Sequence, residues 1–415
     1  MSPLAFSGSN INKVKAHNLQ AILISFLQEK LISRAGLAKR TSLSSATVTN
    51  LTKELIDQKL IIEVESTEVS GKRRVGRPRT MLRLVPDARY ALGVHIGVGL
   101  FRVALTNLYA EMLDNRIVAC DPEKPAEQVL KCIGDEVASL ISENDIPHER
   151  ILGIGVGDSG LVNHKTGVNV LAPRLGWKDV NIQKILKKET GLPARVDNNV
   201  RAMAVGEAFF GAGRDVSVLA FVYGRVGVGA GFVVNGQVYR GTRASAGEIG
   251  HTVMVPDGGD LCECGNYGCL ETLVSEPVLI QRAKELAERY PDSRLSAFLH
   301  HREEKDETLE KIFKAAREGD KRTQEMITHQ IRYLGLALAN LVNILNPELI
   351  LLGGMFAQGY DLVSPIAEKV IRESAFCGTG EKVTLRPTSF GWRAGVIGAA
   401  SLALLGLFYQ AEGNS

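Results

Sequence analysis

Residues 247–271 read GEIGHTVMVPDGGDLCECGNYGCLE, and this stretch decides how the rest of the chain is read. His251 is followed by Cys262, Cys264 and Cys269, four soft or borderline ligands within nineteen residues. One imidazole and three thiolates suit a closed, tetrahedral, structural zinc site. Gly265 and Gly268 allow a tight turn between Cys264 and Cys269. The competing reading is three free thiols or a disulfide. A Cys-x-Cys bridge is badly strained, and the other cysteines, Cys120, Cys132 and Cys377, are scattered singly. Four protein ligands leave no open position for water, so the expected zinc is structural. Glu248 precedes His251 by three residues and Glu271 follows Cys269 by two. A loop folded round zinc anchors both carboxylates close together, where they can accept hydrogen bonds from a polyol. On spacing alone, solvated surface acids are an equal reading.

With 415 residues, 45% hydrophobic and 23% charged, the chain has an ordinary globular composition and room for two or three domains. The opening MSPLAFSGSNINKVKAHNLQ lacks the apolar core of a signal peptide. The most apolar stretch, 395–408, reads as too short to span a membrane. Cysteines placed for metal rather than in a paired framework favour a reducing cytoplasm. The net charge of +3 hides an asymmetry. Residues 1–85 carry 14 Lys+Arg against 6 Asp+Glu, and the remainder 35 against 40. A basic head on a mildly acidic body suggests a polyanionic partner for the head.

Within that head, Leu19, Ile22, Leu23, Phe26 and Leu27 follow helical spacing and predict a helix from about residue 13 to 28. A second short helix fits 34–40. A third follows Ser42 or Ser44 as its cap, with Val48, Leu51, Leu55 and Ile56 as one stripe. Two short helices joined by a polar turn make a helix-turn-helix. Ser45, Thr47, Thr49 and Asn50 are its exposed hydrogen-bonding positions, suited to base edges and phosphates in a major groove. LIIEVEST, a basic loop and TMLRLV then read as a wing with Lys72, Arg73, Arg74, Arg77 and Arg79 at its tip. An extended Arg-Pro-Arg is narrow enough for a minor groove.

The body begins near Pro86-Asp87. Two glycine-turn hairpins, at 90–108 and 216–241, are each followed by strands and helices, which suggests a duplicated α/β unit with a cleft between the halves. Helices are expected at 124–144, 181–190, 200–211, 274–290, 307–317, 320–345 and about 394–407, and buried strands at 151–157 and 348–354. Glycine turns of this kind can cradle phosphates, although tight hairpins need glycine as well.

Together these motifs resemble the ROK family, named for repressors, open reading frames and kinases. The resemblance rests on GEIGH…CECGNYGCLE, GIGVG at 153–157, LGWKDV at 175–180, VDNNVRAMAVGE at 196–207 and LNPELILLGG at 345–354. It implies a two-lobed, actin-like sugar-kinase body, an α/β fold, behind an N-terminal winged helix-turn-helix domain. The implied domains are 1–85, a first lobe of 88–200 completed by 394–415, and a second lobe of 201–393 holding the zinc. His251, Cys262, Cys264 and Cys269 match the family's zinc ligands, and Asn198, Glu248, His251 and Glu271 its sugar contacts. The departures separate regulator from kinase. The kinase phosphate loop Asp-x-Gly-Gly-Thr is His95-Ile-Gly-Val-Gly99 here. The catalytic base position holds Asn199, whose neutral amide cannot accept a sugar proton. Arg174 replaces a sugar-contacting asparagine and suits a carboxylate or phosphate on the ligand, and Arg225 stands in the second glycine loop where kinases carry a small hydroxyl residue. The resemblance therefore implies no enzyme activity, but a cytoplasmic, sugar-responsive repressor that binds operator DNA as a dimer or tetramer. Its effector set is Asn198, Asn199, Arg174, Glu248, His251 and Glu271. The alternatives are an ATP-dependent sugar kinase and a regulator controlled by a protein partner.

Overall fold

The computed structural model describes residues 11–65, 80–121, 123–300 and 308–410. Its chain divides into two compact units, 1–199 with 396–415, and 200–395. In the first unit the N-terminal periodicity becomes helix α1 (Ile11–Gln28), which buries Ile22, Leu23, Phe26 and Leu27. Strand β1 (Ile32–Ser33) leads into α2 (Arg34–Thr41), capped by Ser33, whose hydroxyl accepts from the Gly36 N–H at 3.1 Å. Helix α3 (Ser45–Asp57) is capped by Ser44, which accepts from the Thr47 N–H. Ser42 is not the cap: it ends α2 in the left-handed region, at φ 58°. Strands β2 (Ile61–Glu65) and β3 (Thr80–Leu84) complete a three-stranded sheet in the order β1-β3-β2. The basic tip with Lys72, Arg73, Arg74, Arg77 and Arg79 lies outside the described residues.

Polar contacts fasten the head to the rest of the first unit. The Leu108 N–H donates to the Pro86 carbonyl, and Lys30 stands 5.0 Å from the centre of the Tyr109 ring and 3.5 Å from Glu111. Next come β4 (Tyr90–Gly97), β5 (Leu100–Asn107), β6 (Met112–Ala119), α4 (Ala126–Glu143) and β7 (Ile151–Asp158). A small separate sheet of β8 (Leu161–Asn163), β9 (Val168–Ala172) and β10 (Trp177–Asn181) precedes α5 (Ile182–Thr190) and β11 (Ala194–Asn198). The main sheet runs β11-β7-β4-β5-β6, with β4, β7 and β11 parallel and the β4-β5-β6 meander antiparallel.

The second unit opens with α6 (Asn199–Phe210), β12 (Val218–Gly224), β13 (Val228–Val234) and β14 (Gln237–Tyr239). After the 247–271 stretch come α7 (Glu271–Val274), α8 (Glu276–Arg289), α9 (Arg294–His300), α10 (Thr308–Arg317) and α11 (Lys321–Leu345). Strand β15 (Leu349–Gly354), α12 (Met355–Gln358), α13 (Tyr360–Ser374) and β16 (Thr384–Pro387) finish it. Its sheet runs β16-β15-β12-β13-β14, an antiparallel meander flanked by two parallel strands. That repeats the first sheet strand for strand, so the body is one α/β motif used twice.

Helix α14 (Ala394–Leu404), continued by a π turn (Leu405–Tyr409), returns to the first unit. The continuous helical stretch Gly391–Tyr409 reaches 19 residues and is long and apolar enough to cross a membrane, contrary to the shorter reading of the sequence. Here it is mostly buried, and Tyr409 donates its hydroxyl to the Leu108 carbonyl. Gly93 on β4 and Gly155 on β7 let its backbone approach: a Cβ at either would overlap the carbonyl of Val396 or Ala399. Gly155→Ala should therefore destabilise the fold by about 1–3 kcal/mol. Urea unfolding measures this, and an unchanged midpoint would show that α14 has room to shift.

Candidate functional site

The 247–271 stretch is held by one 3-10 turn (Ile249–His251) and two isolated bridges, Val253 with Cys269 and Leu261 with Tyr267. The Cys262 N–H donates to the Asn266 carbonyl and the Gly265 N–H to the Cys262 carbonyl, which folds a tight knuckle. Gly268 sits at φ 68° against the Val255 carbonyl, where no side chain fits. The ligand atoms of His251, Cys262, Cys264 and Cys269 consequently lie within 4.8 Å of one another. His251 Nδ1 is 3.6 Å from Cys262 Sγ, and Cys264 Sγ is 3.7 Å from Cys269 Sγ. Thiolates about 2.3 Å from a tetrahedral ion are separated by about 3.8 Å, so the donor set fits a metal. The Asn266 backbone N–H draws the Cys264 thiol down to about 7, towards the ligating thiolate.

Glu271 opens α7 beside this cluster and is buried; its Oε1 accepts from the Cys262 thiol at 3.2 Å and lies 3.8 Å from His251 Nδ1. Glu248 is placed by Gly247, whose φ of 99° sets it against the Ala230 carbonyl. Loss of water around the Glu248 carboxyl pushes its pKa up, opposed by His251 and Arg201 and reinforced by Glu271. Glu248, His251 and Glu271 thus form one electrostatic group. Arg201, which sequence reading passed over, belongs to it. It is 1% exposed on α6, a helix that also buries Glu207 among mostly apolar side chains.

In the first unit, Asn198 ends β11 and donates its side-chain amide to the Gly160 carbonyl at 3.0 Å, and Asn199 starts α6 with its amide 3.5 Å from the Ser159 hydroxyl. Both asparagines therefore stand at the carboxyl ends of the parallel strands, the ligand-binding edge of an α/β sheet. His95 is buried on β4 opposite Gly157 of β7. Arg174 is half-buried on a separate turn (Pro173–Leu175). No motif pointed to Asp158, fully buried at the end of β7. It accepts from the Asn169 amide at 2.5 Å and from the Ser159 N–H. Burial pushes its pKa up to about 7 against these two bonds.

On α3, Ser45, Thr49 and Asn50 are exposed and Thr47 is half-buried. Two hydroxyls are already engaged, Thr47 with Ser44 at 2.9 Å and Thr49 with the Ser45 carbonyl at 2.8 Å. Arg73, Arg74, Arg77 and Arg79 fall in the segment outside the described residues.

The sequence profile of the ROK family matches residues 91–405. The chain belongs to the ROK family. This ROK protein is 30% identical over 396 residues to the xylose repressor of Caldicellulosiruptor bescii, covering 95% of this chain and 97% of that one. The crystal structure of a ROK family transcriptional regulator, a homologue of the E. coli MLC protein, superposes with a TM-score of 0.81 at 30% identity, covering 96% and 97% of the two chains. A ROK family glucokinase from Streptomyces griseus, solved with glucose and AMPPNP, gives 0.67 at 28% identity and covers 98% of its own length but 75% of this chain. The share it leaves unmatched is close to that of the DNA-binding head.

The folded state keeps the Asp158 proton up to about pH 7, whereas an unfolded aspartate loses it near 3.8. The folded state binds more protons between those values, so stability falls as pH rises from about 4 to 7 and levels off above. Asp158→Asn should accordingly stabilise the protein at pH 8, by up to about 4 kcal/mol, with the gain shrinking towards pH 5. Thermal unfolding at both pH values checks this; an equal shift at each would show that Asp158 is ionised throughout.

Proposed function

We propose that this ROK protein is a sugar-responsive, DNA-binding transcriptional repressor of carbohydrate-use genes, released from its operator by a sugar or sugar derivative. The observation that carries the reading is the combination of a winged head with a sugar-kinase body that has Asn199 in place of the catalytic carboxylate. An amide cannot deprotonate a sugar hydroxyl, so ligand binding survives where phosphoryl transfer does not. Asp158 does not replace the lost base, since it is fully enclosed and occupied by Asn169 and Ser159. The relatives that match nearly the whole chain support the same reading: one is named a xylose repressor and another is a transcriptional regulator.

In this proposal Glu248, His251 and Glu271 hold the effector's hydroxyls, Asn198 and Asn199 contribute amides, and Arg174 meets any carboxylate or phosphate on it. The metal is a structural zinc on His251, Cys262, Cys264 and Cys269. It supplies no reaction chemistry, only a fixed frame for the two carboxylates. The reading places the protein in the cytoplasm, where thiolate ligands stay reduced. Ser45, Thr47, Thr49 and Asn50 reach the major groove, and Arg73, Arg74, Arg77 and Arg79 the minor groove. Effector binding shifts the population between two arrangements of the chain. A coupling of about 1–3 kcal/mol changes operator affinity roughly five- to 150-fold.

Glu248→Ala should weaken sugar binding at least tenfold in isothermal titration, while zinc content and melting temperature stay at the parent level. Full-strength binding by this variant would move the effector elsewhere. Elemental analysis should find one zinc per chain. Cys264→Ser should lose the ion and the sugar response together, and a zinc-free variant that still responds would separate the two.

A further inference from the structure

At the end of β7 the chain turns through Asp158, Ser159 and Gly160, and β4, β9 and β11 each grip that turn. Asn169 of β9 donates its side-chain amide to the Asp158 carboxyl at 2.5 Å and to the Ser159 carbonyl at 3.0 Å. The Ser159 hydroxyl donates to the Ile96 carbonyl of β4 at 3.3 Å. Gly160, at φ 92°, lies so close to the Leu171 carbonyl of β9 that no side chain fits. From β11, Asn198 donates its own amide to the Gly160 carbonyl at 3.0 Å.

Asn169 is the member of this group that packing alone does not explain. It is fully buried in the middle strand of its small sheet, level with Val162 on one side and Val180 on the other. An aliphatic side chain would suit such neighbours. The asparagine instead carries an enclosed Oδ1 that meets no donor among the described residues, and it faces a fully buried carboxyl. Both features cost stability, so what the amide supplies is geometry. Its two bonds fix the direction of the Ser159 carbonyl, and hence of the peptide unit that leads into Gly160. Gly160, with no Cβ to limit its rotation, depends on that restraint.

Asn198 takes its orientation from the far end of the same turn. A primary amide presents a donor and an acceptor on opposite sides, and half a rotation about its last bond exchanges them. The Gly160 carbonyl can only accept, so it holds the Asn198 nitrogen towards the turn and sends the oxygen the other way. We propose that Asn169 is a positioning residue for effector binding: it fixes the 158–160 turn, and the turn fixes which end of the Asn198 amide the effector meets. This rests on the reading that Asn198 meets the effector's hydroxyls.

The test is isothermal titration of the full-length protein with D-xylose, D-glucose and D-galactose, neutral probes that differ in their hydroxyls. Asn169→Leu, close in shape, removes the amide. Circular dichroism checks the fold, and Asn169→Ala takes its place if the leucine does not fit. With the sugar that the parent binds, either change should weaken binding roughly tenfold or more. Asn198→Ala supplies the second arm, because residues that act through one another are not additive; in that background the Asn169 change should cost less than about threefold. Binding at parent strength after the Asn169 change overturns the proposal. So does the same loss with and without Asn198, which would mean that Asn169 only holds up the fold. A parent that takes up none of these sugars, or an Asn198→Ala variant that binds as tightly as the parent, defeats the effector reading and this proposal with it. The two earlier outcomes leave that reading standing.

Discussion

Four ligand atoms drawn within 4.8 Å of one another are the constraint on which the second unit's site depends. The 247–271 stretch contains one short turn and two isolated bridges, too little regular structure to hold side chains in register by itself. Convergence of His251 with three thiols closes it into a loop of fixed shape. That closure brings Glu271 against Cys262 and sets Glu248 in the same electrostatic group. Arg201 stabilises the charge of the group from inside α6, which links the loop to the helix that begins where the chain enters the second unit.

The first unit answers a different constraint, the close approach of α14 to the sheet. Gly93 and Gly155 leave room for its backbone, and the π turn after it ends with Tyr409 bonded to Leu108. Leu108 in turn donates its N–H to Pro86 at the base of the head. Sheet, C-terminal helix and N-terminal head are therefore fastened within one unit by a short run of packed groups.

Much of this was legible in the sequence because periodicity and ligand spacing are local properties. The helices of the head, both glycine-turn hairpins and the four clustered ligands each declare themselves within twenty-odd residues. What stayed hidden depended on contacts far along the chain. Helix α13 was missed because Pro365 removes a hydrogen bond inside it, a cost made up by packing along α11. The β8-β9-β10 sheet has strands of three to five residues with no clean alternation. No motif marked Asp158, because its burial and its bond to Asn169, eleven residues on, arise only in the folded chain. Arg201 did leave a signal, a lone charge within the apolar run VRAMAVG, which membership of a buried helix explains. In the proposed function, His95 and Asn199 carry the distinction from a kinase; the fold places His95 beside Gly157 near the end of β4 and Asn199 at the start of α6.

In the proposed function, a site built like a sugar kinase's serves as a sensor coupled to DNA binding. Binding of the full-length protein to DNA from upstream of its own gene, followed by fluorescence anisotropy while monosaccharides are added with ATP and Mg²⁺, tests it most directly. One sugar or sugar derivative is expected to lower DNA affinity roughly five- to 150-fold and to be recovered unphosphorylated. A sugar that is phosphorylated, with DNA binding indifferent to it, would make the protein a kinase rather than a sensor.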